Sequence, residues 1–414
     1  METRIFNRRK PALIFFTVLM LSYVLLCMTR NCFSSAMVFI VDEGLLTDFQ
    51  TGVIIAVFYV VYALLQVVGG LVTDKLNPER FVTIGLIGAA ISNFVIFFNQ
   101  NYIVMLVAWS FNAAMQFGVW PAVFKMVSTM FGPKMRDNAL FAATLGSPGG
   151  IVLSYAVAAI VGSFWQLNFI ICAVGLVFFA IVWEITAFSM KPYMEVKKVL
   201  PEPQIVVKRT DVNFGRLAIR SGLMIVMITA FIRTMFDYGI KGYTPTMINT
   251  TYDAVSPILA TVMNIAVLIA GIVGTFIARV IYPKHIRNES VIVAAFFVLA
   301  LPLSIAALGL GTINYWVMIV ILSFIIMFMG GSTLFTTTYM AARFNKYGKG
   351  ATVAGIMNCT SSLGIVLANV VFPAIAGAWG WNATVIMWVI MMAVAVACTL
   401  VHLPIWTKFL KAKE

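Results

Sequence analysis

Long unbroken apolar runs, rather than alternation, dominate the chain. A helix needs about 20 predominantly apolar residues to cross a bilayer. On that measure the sequence predicts twelve spans, roughly 12–40, 51–72, 81–98, 102–130, 139–162, 168–189, 218–248, 255–280, 290–310, 315–341, 351–376 and 382–403. Between spans six and seven lies a segment with Pro201, Pro203 and alternating charges, which reads as a solvated linker. The pattern predicts an all-α membrane protein with twelve transmembrane helices in two six-helix bundles. The bundles cover 1–189 and 218–414, joined by a cytoplasmic linker over 190–217. The apolar run after Pro11 is too long for a signal peptide and no small-residue cleavage site follows, so it reads as a retained first span.

Composition sharpens the class. Of 414 residues, 62% are hydrophobic and 10% charged, against about 45–50% and about 25% in soluble domains. Disordered chains, disulfide scaffolds and nucleic-acid-binding domains are excluded. The net charge of +13 does not revive the last of these, because the basic residues sit in short loops. Cys27, Cys32, Cys172, Cys359 and Cys398 fall in apolar stretches without zinc spacing or disulfide logic, and read as small hydrophobes.

The distribution of Lys and Arg orients the chain. Arg4, Arg8, Arg9 and Lys10 precede span one. Lys75 and Arg80 follow span two, and Lys134 and Arg136 follow span four. A basic linker, loops after spans eight and ten, and the tail continue the series. The opposite loops carry Asp42, Glu43, Asp48 and Asp253. Both termini are therefore expected in the cytoplasm.

Four cations remain inside spans: Arg30, Lys125, Arg233 and Lys241. A charge facing hydrocarbon costs at least about 2.5–3.5 kcal/mol, so each needs an explanation. Lys241 is near an outer helix end and is expected to snorkel. Lys125 and Glu184 lie near cytoplasmic ends of their spans, where a structural pair is expected. The halves also look related. Arg30 in span one and Arg233 in span seven fall at nearly the offset that separates Gly70–Asp74 from Gly274–Ala278, as in a duplicated six-helix unit.

The segment Gly70-Leu-Val-Thr-Asp74-Lys75-Leu-Asn77-Pro78-Glu79-Arg80 places an acid at a helix end before basic residues in a turn set by Asn77-Pro78. It resembles the Gly-x-x-x-Asp-Arg loop of the major facilitator superfamily at the same place in the topology. Further segments resemble the organophosphate:phosphate antiporter family: Arg30-Asn-Cys-Phe33 in span one, Gln116-Phe-Gly-Val-Trp120-Pro121 in span four, Tyr238-Gly-Ile240 and Tyr243-Thr-Pro-Thr246 in span seven, and Gly271-Ile-Val-Gly274 in span eight.

The resemblance implies a facilitator fold in which spans one and seven face a central cavity. Arg30 and Arg233 then converge as a bidentate anion clamp; alternatively each is a satisfied structural residue. The likeness carries an anion-binding Arg onto Arg30 and two pocket tyrosines onto Tyr23 and Tyr62. The family's span-seven Arg position is held by Asp237, with Arg233 four residues earlier. Gln66 stands at the family's span-two lysine, and Leu145 at a span-five histidine. Asp237 is read in three ways: a neutraliser of Arg233 released by substrate, a proton acceptor for coupling, or a structural partner of Arg233. Trp120 and Asn358 are candidate pocket contacts, with helix packing as the alternative. Gly70, Asp74, Lys75 and Arg80 form the conformational motif. In Gly146-Ser-Pro148-Gly-Gly150, a gating bend and close helix packing stand as equal alternatives.

The sequence does not read as an enzyme, having no Ser-His-Asp set, His-x-x-Glu-His or phosphate loop. No cofactor, metal or nucleic acid is expected. The partners are a small anionic substrate, the lipid bilayer and a coupling proton or cation, and the chain is expected to be a monomer of the cell membrane. The lost polar groups favour a monoanionic carboxylate such as a sugar acid, taken up with a proton or cation. The alternatives are an organophosphate/phosphate antiporter or a non-transporting sensor of such an anion.

Overall fold

The computed structural model describes residues 2–75, 77–131, 133–198, 214–282, 286, 288–309, 314–347 and 349–411; the side chains of 66–75, and of some other helical residues, lie outside what is described. The chain divides into two units, Met1–Gln204 and Ile205–Glu414.

The first unit opens with strand β1 (Glu2–Phe6), followed by α1 (Arg9–Asp42), α2 (Asp48–Lys75), α3 (Pro78–Phe98), α4 (Tyr102–Met115), α5 (Val119–Met130), α6 (Pro133–Val161), α7 (Gln166–Ser189) and strand β2 (Met194–Lys198). Turn chemistry sets several boundaries. Asn77 caps α3 by accepting from the Glu79 amide, with Pro78 at the first helical position, and Asn101 caps α4 from the Ile103 amide. Gly44, at φ 69°, turns the chain out of α1.

β1 and β2 pair antiparallel, Glu2 opposite Lys198 and Phe6 opposite Met194. This small ribbon departs from the all-helical expectation. It is anchored by Phe6, whose ring lies 5.3 Å from Phe15 and 5.6 Å from Phe131, while Phe15 lies 5.2 Å from Trp183. Phe6 thus ties the ribbon to the core of the first unit.

The second unit contains α8 (Phe214–Ser221), α9 (Leu223–Thr251), α10 (Pro257–Ile281), α11 (Glu289–Gly309), α12 (Tyr315–Leu334), α13 (Met340–Arg343), α14 (Gly350–Trp379) and α15 (Trp381–Lys411). Gly222, at φ 70°, separates α8 from α9, and Ser256 caps α10 from the Leu259 amide. Glycines bring α10 and α12 into backbone contact. A Cβ on Gly330 would meet the Gly271 Cα at 3.0 Å, and Thr275 donates to the Gly330 carbonyl at 3.3 Å. Small residues permit this approach where lipid supplies no hydrophobic drive between helices.

Twelve helical stretches among the described residues are long and apolar enough to cross a membrane, in agreement with the sequence. Two of them are not simple α-helices. Span four breaks at 116–118 into α4 and α5, and span ten passes through a π-helical turn, Phe335–Tyr339. Many large apolar side chains face outward, Ile160, Phe164 and Phe188 among them. A soluble monomer rarely carries so much exposed apolar surface; a bilayer accommodates it.

Candidate functional site

In the first unit the break in span four carries the chemistry. Gln116 ends α4 and is fully buried. Its Oε1 accepts from Arg30 Nε at 2.7 Å, and its Nε2 donates to Asn112 Oδ1 at 2.6 Å. Asn112 is one turn earlier on the same helix, so the amide of Gln116 is oriented before it meets the guanidinium. The Arg30 guanidinium carbon lies 4.8 Å from the centroid of the Tyr62 ring, over its face, a cation–π geometry that favours the charge. Arg30 Nη2 is buried and has no hydrogen-bond partner among the described residues.

Tyr23 packs beside Trp120, ring centroids 5.4 Å apart. Gly146 makes room for that tyrosine, since a Cβ there would lie 2.7 Å from its ring. Four of the expected site residues, Arg30, Tyr23, Tyr62 and Trp120, thus gather within one unit. A Cβ on Gly150 would lie 2.6 Å from the Met28 amide nitrogen and 2.7 Å from the Val24 carbonyl oxygen. The Gly146–Gly150 segment therefore packs α6 against α1, and α6 continues as helix through Pro148.

In the second unit Arg233 is buried on α9. Its Nη1 donates to Thr333 Oγ1 at 2.6 Å and its Nη2 to Thr234 Oγ1 at 2.7 Å, while Nε lacks a hydrogen-bond partner among the described residues. Thr333 is on α12, two residues before the π-helical turn, a local widening often found at functional positions. Of the three readings of Asp237, a direct structural pair with Arg233 is not the contact seen: Asp237 Oδ1 pairs with Lys241 Nζ at 2.6 Å. Helical side chains lean toward the N-terminus, so Lys241 reaches back to Asp237 whereas Arg233 leans away from it. Lys241 is accordingly an ion-pair partner of Asp237.

The remaining expected residues separate. Asn358 is exposed on α14, and its carbonyl accepts from Ser362 at 3.0 Å. Arg80 is exposed in the first turn of α3. The side chains of Gln66, Gly70, Asp74 and Lys75 lie outside those described. Glu184 accepts from Thr83.

Sequence reasoning missed three groups. The Gln116–Asn112 pair left a signal, two amides one turn apart in an apolar span. Thr333 left none. The third is a buried carboxylate at the start of α11. Glu289 is fully buried and accepts from Arg343 Nε at 2.7 Å, Tyr282 Oη at 2.7 Å and Trp406 Nε1 at 3.1 Å. Burial first, and then the bond to Glu289, push the Tyr282 hydroxyl up to about 12. Pro283 to His285, in the loop after span eight, lie outside the described residues. Glu289 supplies a second-half acid that ties α11, α13 and α15 together. The first unit has a partial counterpart, since Trp183 Nε1 of α7 donates to the Glu79 carbonyl at the start of α3 at 3.1 Å.

The model of the Major Facilitator Superfamily matches residues 19–358. The membrane sensor protein UhpC of Salmonella typhimurium (strain LT2) is 28% identical over 142 residues, 34% of this chain and 32% of its own. A probable hexose phosphate transport protein of Chlamydia trachomatis serovar D is 27% identical over 123 residues, 30% of this chain and 27% of its own. The hexuronate transporter of Bacillus subtilis (strain 168) is 23% identical over 180 residues, 43% of this chain and 42% of its own. The chain thus matches about a third of the length of the first of these relatives. In fold, it superposes on a bacterial homologue of the human lysosomal transporter Spinster, in an inward-facing and unoccupied conformation, with a TM-score of 0.76 at 15% identity, covering 97% of this chain and 99% of the other.

Proposed function

Because this integral multi-pass membrane protein belongs to the Major Facilitator Superfamily, we propose that it is a secondary active transporter of a small organic anion, working by alternating access. Arg30 of the first unit and Arg233 of the second each contribute to anion binding. The observation that carries the reading is the Arg30 guanidinium. It is held edge-on by Gln116 and over the face of Tyr62, and one buried nitrogen has no acceptor among the described residues. A carboxylate or phosphate oxygen satisfies such a donor at short range. Tyr23, Tyr62 and Trp120 offer the flat apolar surface that suits a sugar ring, with Gln66 and Asn358 as further polar contacts.

The substrate class proposed first is a sugar carboxylate, in keeping with the hexuronate transporter; a hexose phosphate is the alternative suggested by the Chlamydia relative. Asp237 is the coupling residue. Its protonation would release Lys241 and change the charge around Arg233, linking uptake to a proton gradient. Gly70, Asp74, Lys75 and Arg80 bias the conformational equilibrium at the cytoplasmic surface. Both termini are placed in the cytoplasm by the Lys and Arg distribution, and the working unit is a monomer of two bundles, 1–189 and 218–414, joined by 190–217.

Uptake of radiolabelled glucuronate and of glucose 6-phosphate into proteoliposomes tests this directly. A proton gradient alone should drive accumulation of the carboxylate. If only internal phosphate drives uptake, and of the phosphate ester, the exchanger reading replaces it. A sensor reading is favoured by the likeness to UhpC; binding of the anion with no accumulation under either gradient would establish it.

A further inference from the structure

Cys32 on α1 and Cys172 on α7 are 140 residues apart in sequence, and nothing in the spacing marks them as a pair. The fold brings their Sγ atoms to 3.0 Å, with both side chains fully buried. That is within about 1 Å of the ~2.05 Å of a disulfide bond. The surrounding polar groups hold the helices in this register. Asn168 Nδ2, one turn before Cys172, donates to the Cys32 carbonyl at 3.3 Å and to Ser35 Oγ at 3.1 Å, and Ser35 Oγ lies 2.9 Å from Ser154 Oγ on α6. Cys32 Sγ also donates to the Met28 carbonyl of its own helix at 3.5 Å and faces Asn168 Oδ1 of α7 at 3.9 Å, so the same polar cluster that joins α1 to α7 holds this sulfur against Cys172. The other three thiols differ in setting: Cys27 is buried, Cys359 exposed and Cys398 partly buried.

We infer that Cys32 and Cys172 form an oxidisable dithiol that closes to a disulfide joining α1 to α7. The oxidant is a lipid-permeant two-electron acceptor of the azodicarboxamide class, which can reach a dithiol buried between membrane-spanning helices. Two S–H bonds break and one S–S bond forms. The two electrons and two protons pass to the N=N bond, which is reduced to the hydrazine. The cross-link ties the helix that carries Arg30, two residues before Cys32, to its neighbour.

The test uses the full chain reconstituted in liposomes. After treatment with diamide and quenching, the protein is denatured in SDS, remaining thiols are alkylated with a maleimide, and the digest is mapped by mass spectrometry. Alkylated thiols should fall from five to three, with one linked peptide pair joining Cys32 to Cys172. Dithiothreitol should restore all five. Cys32→Ala and Cys172→Ala should each keep four thiols through the same treatment, while Cys27→Ala should still lose two. The wild-type map decides the matter even if a variant fails to fold. Five alkylated thiols after oxidation, or linkage through any other cysteine, overturns the inference.

Discussion

Gln116→Leu separates the positioning of Arg30 from its charge. The substitution keeps the side chain's approximate volume but deletes the acceptor 2.7 Å from Arg30 Nε and the donor 2.6 Å from Asn112 Oδ1. A hydrogen bond to a charged group contributes about 1.5–3 kcal/mol, and a buried amide left unsatisfied costs about 1–3 kcal/mol. Polar contacts between membrane helices measure lower, near 0.6 kcal/mol on average, so the expected loss of stability is about 2–4 kcal/mol. Anion affinity should fall by roughly 1–2 kcal/mol, or about 5–30-fold, because the fork is no longer aimed. Gln116→Glu should behave differently. It retains an acceptor for Arg30, and Asn112 can turn its amide so that Nδ2, which lacks a hydrogen-bond partner among the described residues, donates to the new carboxylate. Stability should then be kept while affinity drops further, since the added charge neutralises Arg30. Detergent-solubilised protein, unfolded by titrated SDS, reports the first quantity. Ligand-induced thermal shift across glucuronate concentrations reports the second. A Leu variant that unfolds within about 0.5 kcal/mol of wild type and binds with unchanged affinity would refute the argument.

Arg30→Lys retains charge but loses the planar fork and the stacking on Tyr62, so proteoliposome uptake should fall about 10–100-fold; near-normal uptake removes Arg30 from the site. Glu289→Gln should lower unfolding stability by about 2–3 kcal/mol, because its amide would meet one of three donors with another donor; an unchanged SDS midpoint contradicts the network described. Gly150→Ala places a Cβ 2.6 Å from the α1 backbone and should reduce the yield of monodisperse protein severely. Gly149→Ala meets nothing within 4 Å and should be neutral or slightly stabilising; size-exclusion profiles of the two variants decide between these outcomes.

The number of spans and the membrane class were legible because they depend on composition over windows of about 20 residues, and no tertiary contact alters that count. Arg30 could be nominated as a site residue because a charge in an apolar run is conspicuous, whereas Tyr23 and Tyr62 were nominated through the family resemblance and Trp120 as a large aromatic ring within a resembling segment. Their partners were not conspicuous. Asp237 stands four residues from both Arg233 and Lys241, so spacing allows either pair; the lean of helical side chains selects Lys241. Gln116 faces Arg30 only because span four breaks at 116–118, and Thr333 meets Arg233 only because α12 packs against α9. The Cys32–Cys172 contact joins residues 140 positions apart, and Glu289 meets Arg343 and Trp406 across 54 and 117 positions. Local sequence sets how much apolar surface a segment must hide and which charges need a partner. Which partner each one finds depends on helix packing, which is a property of several segments at once.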